Sequence, residues 1–265
     1  MIEDKYIIIA ENLTKEYITS IKFNITGQIV EGTTIKALDS VNFKIKEGEF
    51  IAIMGPSGSG KSTFLNLLST VDTQTKGRVY IHGQNINKLS DRKVSNLRYK
   101  TIGFVYQEFN LIDGLTIREN IGIPLTLAKE NKDYIEKRIL EVSKRLDIES
   151  LLDKYPLECS GGQIQRVAIA RALIAKPKII IADEPTGNLD SKNSSGVMKL
   201  FKELNDEGIT ILMVTHDAVV ASFSKKVINI KDGKIEKTLE KNSMAQSEFF
   251  NEILKVVSEE AVFID

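Results

Sequence analysis

The sequence predicts an α/β fold with a mainly parallel core sheet. Three short runs are almost wholly apolar, as is typical of parallel strands covered on both faces; they lie at residues 50–54, 178–182 and 209–215. Helical periodicity lies between these runs, most clearly over residues 131–150 and 197–204, where apolar residues recur every three or four positions. With 265 residues, the chain is long enough for one large α/β domain or two small ones.

Turn signals divide the other predicted strands. Residues 41–45 alternate between apolar and polar side chains, which predicts a strand that ends at the Glu47–Gly48 turn. Residues 76–106 predict short strands around a polar helix. The dipeptide Asp232–Gly233 separates two short runs and predicts a β-hairpin.

The tail of the chain, residues 240–265, predicts a further helix. Its large apolar residues follow helical spacing: Phe249, Phe250, Ile253, Leu254 and Val257. Such a helix packs either on the body of the protein or on a partner, and the sequence leaves both possibilities open.

Composition and charge narrow the range of functions. The 36 Lys and Arg residues balance 36 Asp and Glu residues, and this zero net charge disfavours free nucleic acid as the partner. The single cysteine, Cys159, cannot form an internal disulfide, which fits a reducing compartment. The first residues carry charges where a signal peptide needs an apolar core. No run approaches the roughly 18 consecutive apolar residues of a membrane span, so we expect any membrane attachment to depend on another protein.

A glycine-rich loop follows the first apolar run and matches the phosphate-binding pattern G-x-x-x-x-G-K-[ST]. The loop consists of Gly55, Pro56, Ser57, Gly58, Ser59, Gly60, Lys61 and Ser62, and Thr63 continues into a predicted helix. Backbone N–H groups of such a loop, together with the helix N-terminus, favour bound phosphate. Lys61 is expected to reach the β- and γ-phosphates of ATP, and the Ser62 hydroxyl to ligate Mg²⁺. The alternative is a structural glycine-rich turn with a surface lysine, which the strand–loop–helix order argues against.

Two carboxylates follow the second apolar run. Asp183 and Glu184 stand at the expected C-terminal end of a buried strand, where α/β sheets gather ligand-binding groups. Asp183 is placed to hold Mg²⁺ through water, and Glu184 to polarise the attacking water. Acidic residues after a strand are often helix caps instead, but a preceding phosphate loop favours the catalytic interpretation.

A third motif precedes this strand by about twenty residues. Ser160, Gly161, Gly162 and Gln163 follow Cys159 and open the helical run IQRVAIARAL. Ser160 and Gln163 form an S-x-x-Q capping box, so a purely structural interpretation exists. Together with the Asp183–Glu184 strand, however, the segment resembles the signature and Walker B motifs of ABC ATPases, and the resemblance extends over nearly the whole chain.

That resemblance implies roles for four further residues. Tyr17 resembles the aromatic residue that stacks on adenine, and Gln107 resembles the glutamine that reads Mg²⁺ and contacts the membrane partner. Asp190 is similar to the D-loop aspartate, and His216 to the switch histidine that contacts the γ-phosphate. Individually, Tyr17 could be a core aromatic, Gln107 a surface residue and His216 a structural one; their order along the chain favours the functional assignment.

The resemblance also implies an architecture and an assembly. It assigns residues 1–106 and 160–239 to a nucleotide-binding core with an antiparallel β subdomain, residues 107–159 to an inserted α-helical subdomain, and residues 240–265 to a C-terminal helix. ATP and Mg²⁺ are the implied cofactors. Two copies would form a head-to-tail dimer, in which Ser160, Gly161 and Gly162 of one copy contact the γ-phosphate held by Lys61 of the other.

The chain departs from the family pattern at two places. Cys159 stands where leucine is usual, and we expect little effect because the contacting groups are the serine hydroxyl and glycine amides. Residues 18–36 lengthen the stretch between Tyr17 and Ala37, and their alternation predicts a hairpin.

Within the superfamily, FNLIDGLTIRENI and EPTGNLDS resemble the lipoprotein-release, macrolide-export and cell-division group. The segment ending in SEFFNEILK is similar to ATPases of bacitracin and lantibiotic resistance transporters. This implies a permease with a large external domain, an indirectly linked sensor kinase, and a location on the cytoplasmic face of the cell membrane. The alternative that stays open is a transmembrane gate of the cell-division type. A non-transport protein acting on ribosomes or DNA ranks third, because such proteins usually carry two ATPase domains or long coiled coils and this sequence predicts neither.

Overall fold

The computed structural model describes residues 5–23 and 29–259, with side chains over residues 5–19 and 33–258. The strands are β1 (Tyr6–Phe23), β2 (Ile29–Lys46), β3 (Phe50–Met54), β4 (Lys76–Ile81), β5 (Gln84–Asn85), β6 (Ile102–Val105), β7 (Ile179–Asp183), β8 (Thr210–Val214), β9 (Lys226–Lys231) and β10 (Lys234–Glu240). The helices are α1 (Lys61–Leu68), α2 (Asp91–Thr101), α3 (Ile117–Leu127), α4 (Lys132–Arg145), α5 (Gly161–Leu173), α6 (Ser191–Asp206), α7 (Ala218–Ala221) and α8 (Gln246–Glu259).

The central sheet has six strands in the order β10-β9-β3-β8-β7-β6. Strands β9, β3, β8, β7 and β6 run parallel to one another, and β10 pairs antiparallel with β9, to which the predicted hairpin joins it. Side chains of β3 alternate between two cores: Ile51 and Ile53 pack on one face, Phe50 and Ala52 on the other. The predicted α/β fold with a mainly parallel core sheet is confirmed.

A second sheet is antiparallel and has the order β2-β1-β4-β5. Its strands β1 and β2 pair along a long ribbon, from Tyr6 opposite Lys46 to Phe23 opposite Ile29. The strands therefore continue through most of the 18–36 stretch for which a hairpin is predicted, while the turn at 24–28 lies outside the described residues.

Helix α1 lies between the two sheets and fixes the start of the phosphate loop. Its buried face consists of Phe64, Leu65, Leu67 and Leu68, which share one core with strands of both sheets. The Phe64 and Phe43 rings meet edge to face, with centroids 5.2 Å apart. Burial on two sides holds the first residue of this helix, Lys61, at a fixed point of the fold.

Helices α3, α4, α5, α6 and α8 cover the other face of the central sheet and contribute to the second core. Helix α4 falls within the predicted 131–150 segment, with Ile139 and Val142 buried. The boundary predicted for the C-terminal helix is wrong: Glu240 ends β10, and the helix begins only at Gln246. It packs on the body, because Phe249 and Ile253 are each 1% exposed.

Within the described part of the chain, no helix combines the length and the apolar character that crossing a bilayer requires.

Candidate functional site

Four of the predicted site residues lie at one edge of the central sheet, at the ends of four parallel strands. Gly55 follows β3, Gln107 lies just after β6, Asp183 ends β7, and His216 comes two residues after β8. Because the carboxyl ends of parallel strands meet at the same edge, residues distant in the sequence are brought together there.

The phosphate loop is held in shape by its neighbours. Gly60 has φ of 101°, and a Cβ atom there would lie 2.3 Å from the Ala37 carbonyl oxygen, so only glycine fits. The turn between β9 and β10 closes the other side, where the Gly233 N–H donates to the Ser59 carbonyl oxygen at 3.0 Å. The Asp39 N–H in turn donates to the Gly233 carbonyl oxygen at 2.9 Å. The loop is therefore braced from β2 and from the β9–β10 turn.

The Lys61 ammonium group curls back over this loop. Its Nζ donates to the carbonyl oxygens of Gly55 at 2.9 Å and Pro56 at 2.7 Å. Burial lowers the pKa of Lys61, although Glu184 and Asp183 oppose the shift. Burial raises the pKa of Asp183, Glu184 raises it further, and Lys61 lowers it. Both net shifts favour the neutral forms, so desolvation outweighs the attraction between lysine and aspartate.

Glu184 and His216 form a pair next to these residues. Glu184 Oε2 lies 3.1 Å from His216 Nδ1, and the histidine side chain is 70% exposed while that of the glutamate is 22% exposed. Glu184 adopts φ of 44°, an uncommon conformation for a residue with a side chain, and its N–H donates to the Val214 carbonyl oxygen at 2.9 Å. Backbone strain of this kind is concentrated at functional sites.

The donor set of this edge fits a magnesium ion. Ser62 and Asp183 offer hard oxygen atoms, and the Gln107 side chain carries an amide oxygen. Mg²⁺ typically takes one or two protein carboxylates and completes its shell with phosphate and water oxygens. Among the described residues, no group of three or more His, Cys, Asp or Glu side chains could hold a metal ion.

Gln107 lies against the turn that follows Glu184. A Cβ atom on Gly187 would lie 2.9 Å from Gln107 Nε2, and Asn188 Nδ2 donates to the Gln107 carbonyl oxygen at 3.0 Å. The loop after β6 and the turn after β7 are thus in direct contact.

The Ser160–Gln163 segment begins α5, and the predicted capping box is confirmed. The Ser160 N–H donates to Gln163 Oε1 at 2.9 Å, and the Gln163 N–H donates to Ser160 Oγ at 3.4 Å. Within the described residues, no hydrogen bond or ion pair joins this segment to the phosphate loop of the same chain. At this helix N-terminus Ser160 and Gln163 are exposed, and Gly161 and Gly162 are half-buried.

Tyr17 lies on β1, where it is 39% exposed rather than part of the core. Its hydroxyl donates to Asp72 Oδ2 at 3.0 Å, and the Lys15 ammonium group lies 4.9 Å from the ring centroid. Asp72 also accepts from Lys15 at 2.7 Å. The ring is therefore held at its hydroxyl end.

Asp190 caps α6 and reaches the signature segment through Asn193. One carboxylate oxygen accepts the Asn193 N–H at 2.8 Å, the other accepts Asn193 Nδ2 at 2.7 Å, and these bonds lower the pKa of Asp190. A Cβ atom on Gly162 would lie 2.5 Å from Asn193 Oδ1.

The fold therefore gathers most of the predicted residues into two groups, one around Lys61 and Glu184, the other around Ser160 and Asp190. Tyr17 contacts Lys15 and Asp72 instead. Sequence reasoning missed Asn193 and Gln165. Gln165 had a detectable signal: it is a polar residue on the helix stripe that otherwise carries Ala168, Ile169 and Ala172.

A phosphate loop after the first buried strand, with an acidic pair at the end of a neighbouring parallel strand, defines the class of α/β nucleoside-triphosphate hydrolases. Comparisons with known proteins narrow this class. Residues 38–187 match the sequence model of the ABC transporter family. ABC transporter ATP-binding protein YxdL of Bacillus subtilis (strain 168) is 50% identical over 224 residues, covering 84% of this chain and 87% of that protein.

Two further comparisons agree. Bacitracin export ATP-binding protein BceA of Halalkalibacterium halodurans is 43% identical over 221 residues, covering 83% of this chain and 87% of that protein. The dimeric structure of the ABC transporter cassette MJ0796 of Methanocaldococcus jannaschii superposes with a TM-score of 0.77 at 45% identity, covering 88% of this chain and 98% of that one.

The chain belongs to the ABC transporter family. It is an ATP-binding subunit that hydrolyses ATP.

Proposed function

We propose that this ATPase works as a head-to-tail dimer with a composite site, and that it powers resistance to antimicrobial peptides such as bacitracin or lantibiotics. The observation that carries the catalytic part is the convergence of Lys61, Asp183, Glu184 and His216 at one sheet edge. Similarity to a bacitracin export subunit supports the physiological part.

In the proposed reaction, water attacks the γ-phosphorus of ATP and the bond from phosphorus to the ADP oxygen breaks. Glu184 orients this water and accepts its proton, and Lys61 neutralises charge on the β- and γ-phosphates. His216, anchored by Glu184 and largely exposed, contacts the γ-phosphate. Tyr17 stacks on adenine with its exposed ring.

Magnesium would be held by Ser62, Asp183 and Gln107, and when bound it supplies positive charge that stabilises the phosphate oxygens. The raised pKa of Asp183 fits this role, because a bound cation removes the desolvation penalty of the carboxylate.

The partner copy would complete the site with Ser160, Gly161, Gly162 and Gln163. The N-terminus of α5, where Ser160 and Gln163 are exposed, would supply N–H groups to an anion held by a second chain. Asp190, in contact with the same segment through Asn193, would lie at this interface. The dimeric state of the MJ0796 structure supports the arrangement.

A separate membrane permease would hold the dimer at the cytoplasmic face of the membrane. Ile112 and Leu127, which lie beyond Gln107 in the 107–159 segment, are 51% and 78% exposed and offer apolar surface to such a partner. By the same resemblance, the permease has a large external domain and communicates with a sensor kinase.

The Glu184→Gln variant tests the catalytic part. We expect at least about 100-fold slower turnover, because a general base typically contributes that much, and an ATP-dependent dimer on size exclusion, because ATP remains uncleaved. Glu203→Gln, an exposed acid on α6, is the matched control and should behave as wild type. A Glu184→Gln protein that stays monomeric with ATP would contradict the composite site.

The physiological part is tested in the host by exchanging the gene for the Glu184→Gln form. Inhibitory concentrations of bacitracin and lantibiotics should fall, while an exchange for Lys199→Ala, an exposed residue of α6, should leave them unchanged. Equal resistance in all three strains would remove the resistance assignment and leave the ATPase assignment intact.

A further inference from the structure

A buried amide joins the signature helix to the turn that follows Glu184. Gln165 on α5 is 0% exposed, and its Nε2 donates to the Pro185 carbonyl oxygen at 2.6 Å. Pro185 follows Glu184 directly in the chain and is itself buried. The hydrogen bond thus ends on the carbonyl oxygen of the residue that follows Glu184, which adopts φ of 44°.

The other half of this amide has no partner. Gln165 Oε1 is buried and accepts no hydrogen bond from any described residue. An apolar side chain of similar length would fill the same space without the free-energy cost of a buried, unsatisfied acceptor. Packing alone therefore does not account for glutamine at this position. The donor half is the part of the side chain that makes a specific contact.

The helix face that carries Gln165 lies close to both ends of the Pro185–Leu189 segment. Gly161 is four residues earlier on α5 and therefore on the same face. A Cβ atom on Gly161 would lie 3.6 Å from Leu189 Cδ2, an ordinary packing distance. Gln165 contacts the start of the segment, and Gly161 lies close to its end.

We infer that Gln165 is a positioning residue for ATP hydrolysis: it holds the Glu184–Pro185 turn in register with the signature end of α5. The inference rests on the role of Glu184 in the proposed function. Since Glu184 serves the nucleotide of its own chain and Ser160–Gly162 the nucleotide of the partner, this link fastens parts of two different sites into one unit within a single chain.

The test compares Gln165→Met and Gln165→Glu with wild type in steady-state ATP hydrolysis. Methionine keeps the length without a donor, and glutamate places an acceptor against the Pro185 carbonyl oxygen. We expect kcat to fall about 10- to 100-fold in both, as for other small misplacements of catalytic groups. KM for ATP should change by less than about two-fold, because the phosphate loop is untouched.

Ile169→Ala is the matched control. Ile169 lies one turn further along the same face, is 0% exposed and has no polar side-chain atom, so its truncation should loosen α5 while Gln165 keeps its donor. It should lower the melting temperature at least as much as Gln165→Met and leave kcat within about three-fold of wild type below that temperature. If the buried charge of Gln165→Glu prevents folding, the uncharged variant Gln165→Met still tests the inference.

Two results would overturn the inference: wild-type kcat in Gln165→Met, or an equal loss of kcat in Ile169→Ala. Glu184→Gln, measured alongside, keeps the two proposals apart. If Glu184→Gln hydrolyses ATP normally, the proposed catalytic site is wrong and the inference falls with it. If Glu184→Gln is inactive and Gln165→Met is normal, only the role of Gln165 is refuted.

Discussion

At the scale of single residues, the site combines partly buried charged groups with a strained backbone. Asp183 and Lys61 are both shifted towards their neutral forms by burial, and Glu184 occupies a left-handed backbone conformation. Groups placed this way lower the stability of the protein without ligand and are ready for a charged ligand that compensates them.

Asp183→Asn should therefore make the protein more stable and less active. Burial raises the folded-state pKa of Asp183, so its carboxylate destabilises the fold as pH rises above the unfolded-state pKa, and this penalty grows until pH passes the folded-state pKa. Removing the charge should raise Tm by a few degrees. In a domain of this size, each kcal/mol added to the free energy of unfolding raises Tm by about 2–4 °C. ATP hydrolysis should be lost.

Calorimetry of Asp183→Asn at neutral and acidic pH checks this result. The difference in Tm from wild type should shrink as pH falls, because wild-type Asp183 becomes protonated. An Asp183→Asn protein that is less stable than wild type at neutral pH would show that the carboxylate makes a stabilising interaction in the absence of ligand.

At the scale of elements, the sequence predicted best where both faces of an element are buried. Strand β7 reads as IIIAD and strand β8 as TILMV, runs in which the apolar pattern has no competing interpretation. The last helix was predicted to start at Glu240, but it starts at Gln246. Residues 240–245 carry no apolar stripe that would mark a helix, and Glu240 ends β10 because that strand pairs with β9. Contacts such as Gln165 with Pro185 join residues far apart in the sequence, and one sequence alone carries no sign of the partner.

The C-terminal helix α8 gives an element-scale prediction. Phe249 is 1% exposed and packs in the core that α6 and the central sheet share, whereas Leu254 on the same helix is 41% exposed. Phe249→Ala should lower the free energy of unfolding by about 3–5 kcal/mol, the usual range for a buried phenylalanine. Leu254→Ala, the control, should cost much less. Denaturant titration measures both, and equal small losses would mean that α8 does not pack as described.

At the scale of the whole molecule, two sheets and the helix between them form one support for the phosphate loop. The sequence identified the loop residues, since their spacing is fixed by the chemistry of phosphate binding. It did not reveal that Ala37 on β2 and Gly233 after β9 define the walls of the loop, because these contacts depend on how the two sheets meet.

ATP should stabilise the whole protein through this support. At a concentration about 100-fold above its Kd, a ligand adds about 2.7 kcal/mol to the free energy of unfolding, which corresponds to roughly 5–10 °C in Tm. Lys61→Ala should abolish the shift, and Lys93→Ala, an exposed lysine on α2, should keep it. Differential scanning fluorimetry with and without ATP measures this rise in Tm. A rise in Lys61→Ala equal to that of wild type would show that the phosphate loop is misassigned.

The brace around the phosphate loop has a consequence for nucleotide affinity. Because the Gly233 N–H and the Ala37 carbonyl group fix the loop during folding, its backbone loses little further freedom when a nucleotide arrives. We therefore expect the short β9–β10 connection to contribute to ATP affinity. Lengthening that connection would weaken nucleotide capture by a chain whose glycine-rich motif is unaltered.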